Sequence, residues 1–177
     1  MTHELIAAID LGSNSFRLQV GRIVNDQIYP LDGLKESVRL AAGLSADKLL
    51  DAAAWERGIS ALRRFNERLR GFEPDSVRAV ATNTLRVAKN APEFLAEAEA
   101  ALGVPIEVIA GREEARLIYV GVAHTLPEPH RQQLVVDIGG GSTEFIIGKS
   151  FEPIALESLY MGCVTYSLRY FPEGRID

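Results

Sequence analysis

The sequence predicts an α/β domain built on a mixed sheet with flanking helices, followed by the opening strands of a second such unit. Three observations lead there. Apolar runs of strand length and helical patterns follow one another in the order β-β-β-α-β-α-β-α. Two stretches match position for position without a gap: Asp10-Leu-Gly-Ser-Asn-Ser-Phe-Arg-Leu-Gln-Val-Gly21 and Asp137-Ile-Gly-Gly-Gly-Ser-Thr-Glu-Phe-Ile-Ile-Gly148. After a polar stretch holding Pro127 and Pro129 the strand pattern restarts.

Residues 5–10, 16–23 and 28–34 read as three consecutive strands, with Asn25-Asp26 as a turn. A helix follows from Asp51 as N-cap to Leu69, with Leu62, Phe65 and Leu69 on one face; Gly71 and Pro74 end it. Residues 77–81 form a short strand. Asn90, with Glu93 three residues on and Pro92 in the first turn, looks like a capping box opening a helix to Leu102, stopped by Gly103. Residues 106–109 form a strand and 113–124 a helix. The second unit begins with strands at 133–137, 143–148 and 153–159. Expected domain limits are 1–126 and 132–177. Asp10 and Asp137 stand 127 residues apart (137 − 10), yet only 40 residues follow Asp137 (177 − 137). The chain is therefore expected to be a fragment cut inside its second domain.

Apolar content of 47% and charged content of 24% fit a globular chain with a real core. No apolar run nears the ~20 residues that span a bilayer, and Met-Thr-His-Glu lacks the features of a secretory leader. No membrane association is expected. A single cysteine, Cys163, excludes an intrachain disulfide framework and fits a reducing cytoplasm; it reads as a small core residue. A net charge of −5 argues against nucleic-acid binding, though not against a polyanion held in a locally basic cleft. The three histidines match no zinc-ligand spacing.

Each matched stretch describes a strand, a tight turn of small residues and an antiparallel strand, with an Asp at the opening of the turn. Glycines bare backbone N–H groups and hydroxyls add donors, so such a turn can hold phosphate oxygens while the Asp holds a divalent cation. Asn14, Ser15, Gly139, Gly140, Gly141, Ser142 and Thr143 are the candidate donors; the glycines would also be needed by a tight turn alone. Asp137 and Glu144 flank the second turn on opposite strands, which brings their carboxylates together. Asp10 is the matching carboxylate of the first turn. Two copies suggest related halves facing a common phosphate-and-metal cleft. Glu113 and Glu114 open a helix, where carboxylates also belong for dipole reasons. Adjacent helical residues point about 100° apart, so one at most faces a site, and spacing does not choose between them. Arg86 follows a strand and a Thr-x-Thr turn, where α/β clefts place ligand groups. Arg17 and Lys35 read as solvated strand residues that could extend a basic track.

With duplicated turns on this element order, the chain resembles the acetate and sugar kinase/heat-shock chaperone/actin superfamily. More closely, Ala8-Ile-Asp-Leu-Gly-Ser-Asn-Ser-Phe16, Thr82-Asn-Thr-Leu-Arg86, Gly111-Arg-Glu-Glu-Ala-Arg-Leu-Ile118 and Val136-Asp-Ile-Gly-Gly-Gly-Ser-Thr-Glu144 resemble the exopolyphosphatase/guanosine pentaphosphate phosphohydrolase (Ppx/GppA) family. The likeness continues through Phe151-Glu-Pro-Ile154 and Met161-Gly-Cys-Val164. It implies a ribonuclease H-like five-stranded mixed sheet, the actin-like ATPase domain. It also implies Mg²⁺-dependent release of terminal phosphate from inorganic polyphosphate or of the 5′ γ-phosphate from guanosine pentaphosphate, in a cleft between the first two domains. By that resemblance Asp137 and Glu144 hold the metal, Arg86 contacts the terminal phosphate, and Glu114, which directly precedes Ala115-Arg116, activates water. A homodimer is implied for the full-length protein. Two other readings stand beside hydrolysis: a non-catalytic polyphosphate-binding fragment, and a kinase relative that transfers phosphate from ATP.

Overall fold

The computed structural model describes residues 4–25, 27–126 and 130–175. Asp26, Pro127 and Pro129, expected in a turn and a linker, lie outside the described residues. The chain packs as two units, Met1–Val108 and Ile109–Asp177.

In the first unit, β1 (Glu4–Leu11), β2 (Phe16–Val24), β3 (Gln27–Glu36), β4 (Val77–Ala81) and β5 (Ile106–Val108) form one sheet in the order β3-β2-β1-β4-β5. The β1–β2 and β2–β3 pairs are antiparallel, and β1–β4 and β4–β5 parallel. Antiparallel neighbours need only a tight turn, whereas parallel ones need a helical crossover. The crossovers are α1 (Ala52–Arg68), then α2 (Asn83–Val87) with α3 (Ala91–Leu102). Asp51 Oδ1 accepts the Ala54 N–H at 2.6 Å, the cap the sequence predicted. Ile59, Leu62 and Phe65 of α1 and Phe94, Ala98 and Leu102 of α3 form one core with Ile9, Leu11, Phe16, Leu18 and Ala79. Full burial of side chains such as Leu62 or Phe65 contributes about 1.5–3 kcal/mol each.

Asn90 departs from expectation. It caps nothing with its side chain; its Oδ1 accepts the Leu50 N–H at 2.9 Å and its Nδ2 donates to the Leu50 carbonyl at 3.1 Å. The amide copies the backbone's own donor–acceptor pair and ties the entry of α1 to the entry of α3.

In the second unit, β6 (Gln132–Ile138), β7 (Thr143–Lys149) and β8 (Glu152–Leu159) form an antiparallel sheet in that order. Across it lies α4 (Gly111–Ala123), whose Ala115, Tyr119 and Ala123, spaced by four, bury against Ile146, Val135 and Leu156. A last helix, α5 (Cys163–Tyr170), follows β8. Packing thus groups α4 with the second sheet, while the expected limits 1–126 and 132–177 follow the sequence repeat rather than the packing.

The repeat is structural as well. Asp10 pairs with Arg17 across β1–β2, and Asp137 with Glu144 across β6–β7. The register slips at Val20/Gly21 against β3 and at Ile147/Gly148 against β8, with Gly21 opposite Pro30 and Gly148 opposite Pro153. A proline has no N–H to give the ladder, so it sits where a bulge has broken it. Among the described residues, no helix is long and apolar enough to cross a membrane.

Candidate active site

The first turn leaves β1 after Leu11 and enters β2 at Phe16. A Cβ on Gly12 would stand 2.9 Å from the Ser15 carbonyl oxygen, and one on Gly139 would stand 3.0 Å from that of Ser142. Both positions therefore require glycine for room; neither has positive φ. The Ser13 carbonyl accepts from Ala41 N–H at 2.9 Å and the Asn14 carbonyl from Arg39 N–H at 2.8 Å. In a trans peptide the C=O and the next N–H point opposite ways. With those carbonyls tied down, the N–H groups of Asn14 and Ser15 are aimed the other way.

The second turn repeats the device. Cys163 N–H donates to the Gly139 carbonyl at 2.9 Å and Val164 N–H to the Gly140 carbonyl at 3.0 Å. Gly140 and Gly141 N–H groups then face away from α5. Gly162 lies so close against Gly140 and Gly141 that a Cβ there would strike their backbone. Successive N–H groups facing one way make an anion-binding nest. Ser142 is buried; Thr143 is buried too, and its hydroxyl donates to the Met161 carbonyl, so that proton is already committed. Cys163 corrects the core reading: it is exposed, because it opens α5 at the edge of the turn rather than facing a packed layer.

Asp137, Glu144 and Ser158 sit directly opposite one another across β6, β7 and β8. Directly opposed residues in antiparallel strands share a face. Asp137 is exposed, whereas Glu144 is 1% exposed, and its Oε1 accepts the Ser158 hydroxyl at 2.8 Å. The equivalent row of the first unit is Asp10, Arg17 and Lys35, all exposed. One frame thus carries two carboxylates and a hydroxyl, the other one carboxylate and two cations.

Two residues along from Glu144, Ile146 faces α4, so the carboxylate row lies on the helix-covered face of the sheet. Tyr119 of α4 packs against Gly148 and donates its hydroxyl to the Ser150 carbonyl at 3.2 Å. Arg112, at the other end of the helix, meets Glu157 at 2.7 Å. The first turn of α4 is therefore at the end of the sheet that holds Asp137, Glu144 and Ser158. Within that turn Glu113 points away from the packed stripe, and both its oxygens are held in a fork by Arg116 at 2.8 Å. Hydrogen bonding to Glu113, then its charge, raises the Arg116 pKa, so the fork stays ionic. Glu114 is half-buried at the shoulder of the stripe, on the side of Ile118.

In the first unit, β1 and β4 run parallel, so the turn after Leu11 and the segment after Ala81 emerge at the same edge of the sheet. The Thr84 hydroxyl donates to Ser13 Oγ at 2.7 Å, with both residues buried. That bond fastens the Thr82-Asn-Thr segment, a short helix rather than the expected turn, to the first turn. Arg86, half-buried in α2, and exposed Asp10 and Asn14 stand at this edge; Ser15 is half-buried beside them.

A family model described as the Ppx/GppA phosphatase family matches residues 19–177. The chain belongs to that family. A Haemophilus influenzae protein provisionally named an exopolyphosphatase is 51% identical over 172 residues, 97% of this chain and 53% of that protein. An exopolyphosphatase structure from Cytophaga hutchinsonii superposes with a TM-score of 0.88 at 31% identity, covering 94% of this chain and 54% of that one. The Aquifex aeolicus Ppx/GppA enzyme gives 0.81 at 33% identity, covering 96% and 56%. The chain spans about half the length of these relatives. Its five-stranded mixed sheet is the actin-like fold of Ppx/GppA proteins.

The metal that Ppx/GppA membership implies can be tested against the donors. No group of three or more His, Cys, Asp or Glu side chains is placed to hold an ion among the described residues. Mg²⁺, however, is commonly held by one or two carboxylates with water and substrate phosphate completing the shell. Asp137 and Glu144 supply two adjacent carboxylates, and a buried carboxylate needs a compensating cation or donors. The donor set fits. Sequence reasoning missed Ser158 and the N–H groups of residues 39, 41, 163 and 164 that orient the turns; Gly162, in a motif already noted, was the one visible sign.

Proposed function

We propose that this Ppx/GppA chain supplies the phosphate-holding and water-activating residues of an exopolyphosphatase, which hydrolyses the terminal phosphoanhydride bond of inorganic polyphosphate. The observation that carries the reading is the meeting, at one end and on one face of the second unit, of the Glu114 turn with the Asp137–Glu144 row. A carboxylate base beside an oxygen-ligand pair is what water attack on phosphorus requires.

Glu114 orients a water and takes its proton as the water oxygen attacks the terminal phosphorus. The bond to the bridging oxygen breaks, and that oxygen leaves with the shortened chain, giving orthophosphate. Gly140 and Gly141 N–H groups hold non-bridging oxygens and take up charge developing on them; in the first unit the N–H groups of Asn14 and Ser15 and the Arg86 fork offer phosphate donors of the same kind. Magnesium, where bound by Asp137 and Glu144, would supply positive charge to the phosphate oxygens; Asp10 offers the corresponding carboxylate in its own unit. Ser142 stiffens the second turn. The name of the 51%-identical relative favours polyphosphate as substrate.

The test uses linear polyphosphate in ¹⁸O-water and a chain of the relatives' full length. Orthophosphate should be released from chain ends carrying one solvent oxygen, with the remaining polymer unlabelled at its interior. Absence of release, or phosphate transfer to a second substrate with ADP formed from ATP, would contradict the reading.

A further inference from the structure

We propose that Ser158 is a positioning residue for the divalent cation, acting through Glu144; this rests on the metal reading above. The Ser158 hydroxyl has one proton, and it is given to Glu144 Oε1 at 2.8 Å. A carboxylate has about four lone-pair directions on two oxygens. Engaging Oε1 fixes the carboxylate's rotation and leaves Oε2 as the oxygen offered to a cation. Because Glu144 is 1% exposed, little solvent is present to orient it instead. Losing a partner that orients a ligating group typically costs about 10–100-fold in metal affinity.

The duplicated frame provides an internal control. The residue paired with Arg17 in the first unit, at the place Ser158 takes beside Glu144, is Lys35. The strand geometry therefore does not impose a small hydroxyl residue at this position. A hydroxyl occurs in the row that carries two carboxylates, and a cation in the row that carries one. Lysine in place of Ser158 would itself neutralise Glu144 and compete with a metal; serine satisfies one oxygen while leaving the net charge for the ion.

The experiment compares Ser158→Thr and Ser158→Val, which are nearly the same shape, both suit a strand, and differ in the hydroxyl. Manganese alone is the probe: free Mn²⁺ is counted by electron paramagnetic resonance during titration of the full chain, with Glu144→Gln as the reference for a lost ligand. The threonine variant should bind within about 3-fold of wild type, and the valine variant about 10–100-fold more weakly. Magnesium competition should shift in the same ratio. Equal affinity of the two variants would overturn the inference, even if the valine variant melts at a lower temperature. A wild-type chain that takes up no manganese would overturn the metal reading, and the role of Ser158 with it.

Discussion

At the scale of single residues, the glycines of the two turns separate space from flexibility. Gly139 lies 3.0 Å, by the position of its missing Cβ, from the Ser142 carbonyl. Gly139→Ala should push the turn open, cost about 1–3 kcal/mol of stability, and weaken phosphate binding, as a denaturant titration and a binding assay would show. The neighbouring glutamates predict a second contrast. With both oxygens of Glu113 forked to Arg116, Glu113→Gln should leave phosphate release within about 3-fold. A neutral side chain at Glu114 should not. Equal losses from the two variants would contradict the different positions read for them on the helix. Spacing left this choice open, and the family resemblance alone named Glu114, because adjacent helical residues look alike until the packed stripe of Ala115, Tyr119 and Ala123 fixes which way the helix is turned. Cys163 shows the same limit: nothing local distinguishes a small buried residue from one that opens an exposed helix.

At the scale of elements, strands and long helices were legible because their periodicity is dictated by one buried face. The α1 cap at Asp51, the stop at Gly103 and the three-strand openings of both units all follow from local chemistry. What was not legible depended on partners far along the chain. Asn90 carries every local sign of a helix cap, yet its amide is spent on Leu50, 40 residues away. Asn90→Ala should therefore cost about 1–3 kcal/mol, since the two Leu50 backbone groups lose their partners, more than the ~1 kcal/mol typical of a cap. Urea unfolding measures the difference, and a loss well under 1 kcal/mol would contradict the tie. The short helix α2 was hidden for a similar reason. Five residues are too few to show a period, and the segment is held instead by Thr84 and Ser13.

At the scale of the whole molecule, the duplication was plain in the sequence, but the division of labour between its copies was not. The same β-hairpin frame, with the same glycine–proline bulge, carries Asp10, Arg17 and Lys35 in one unit and Asp137, Glu144 and Ser158 in the other. That contrast depends on the register, and the bulge opposite Pro30 and Pro153 shifts the third strand by a residue. The units also differ in depth of core. Ala7, Ile9 and Leu11 are buried at 4%, 1% and 1%, while their repeat partners Leu134, Val136 and Ile138 are exposed at 64%, 44% and 68%. Protection from hydrogen exchange follows buried packing, so amides of β1 and β4 should exchange at least about tenfold more slowly than those of β6. Uniform exchange across the two sheets would argue against separate cores.

Phosphate release from Glu114→Gln in a chain of the relatives' length, measured alongside polyphosphate binding, tests the assigned base most directly. Loss of a positioned base predicts a fall of about 10²–10⁴-fold in turnover, with binding retained within about 3-fold. Turnover near that of the unaltered protein would contradict the assignment of Glu114 as the residue that readies water.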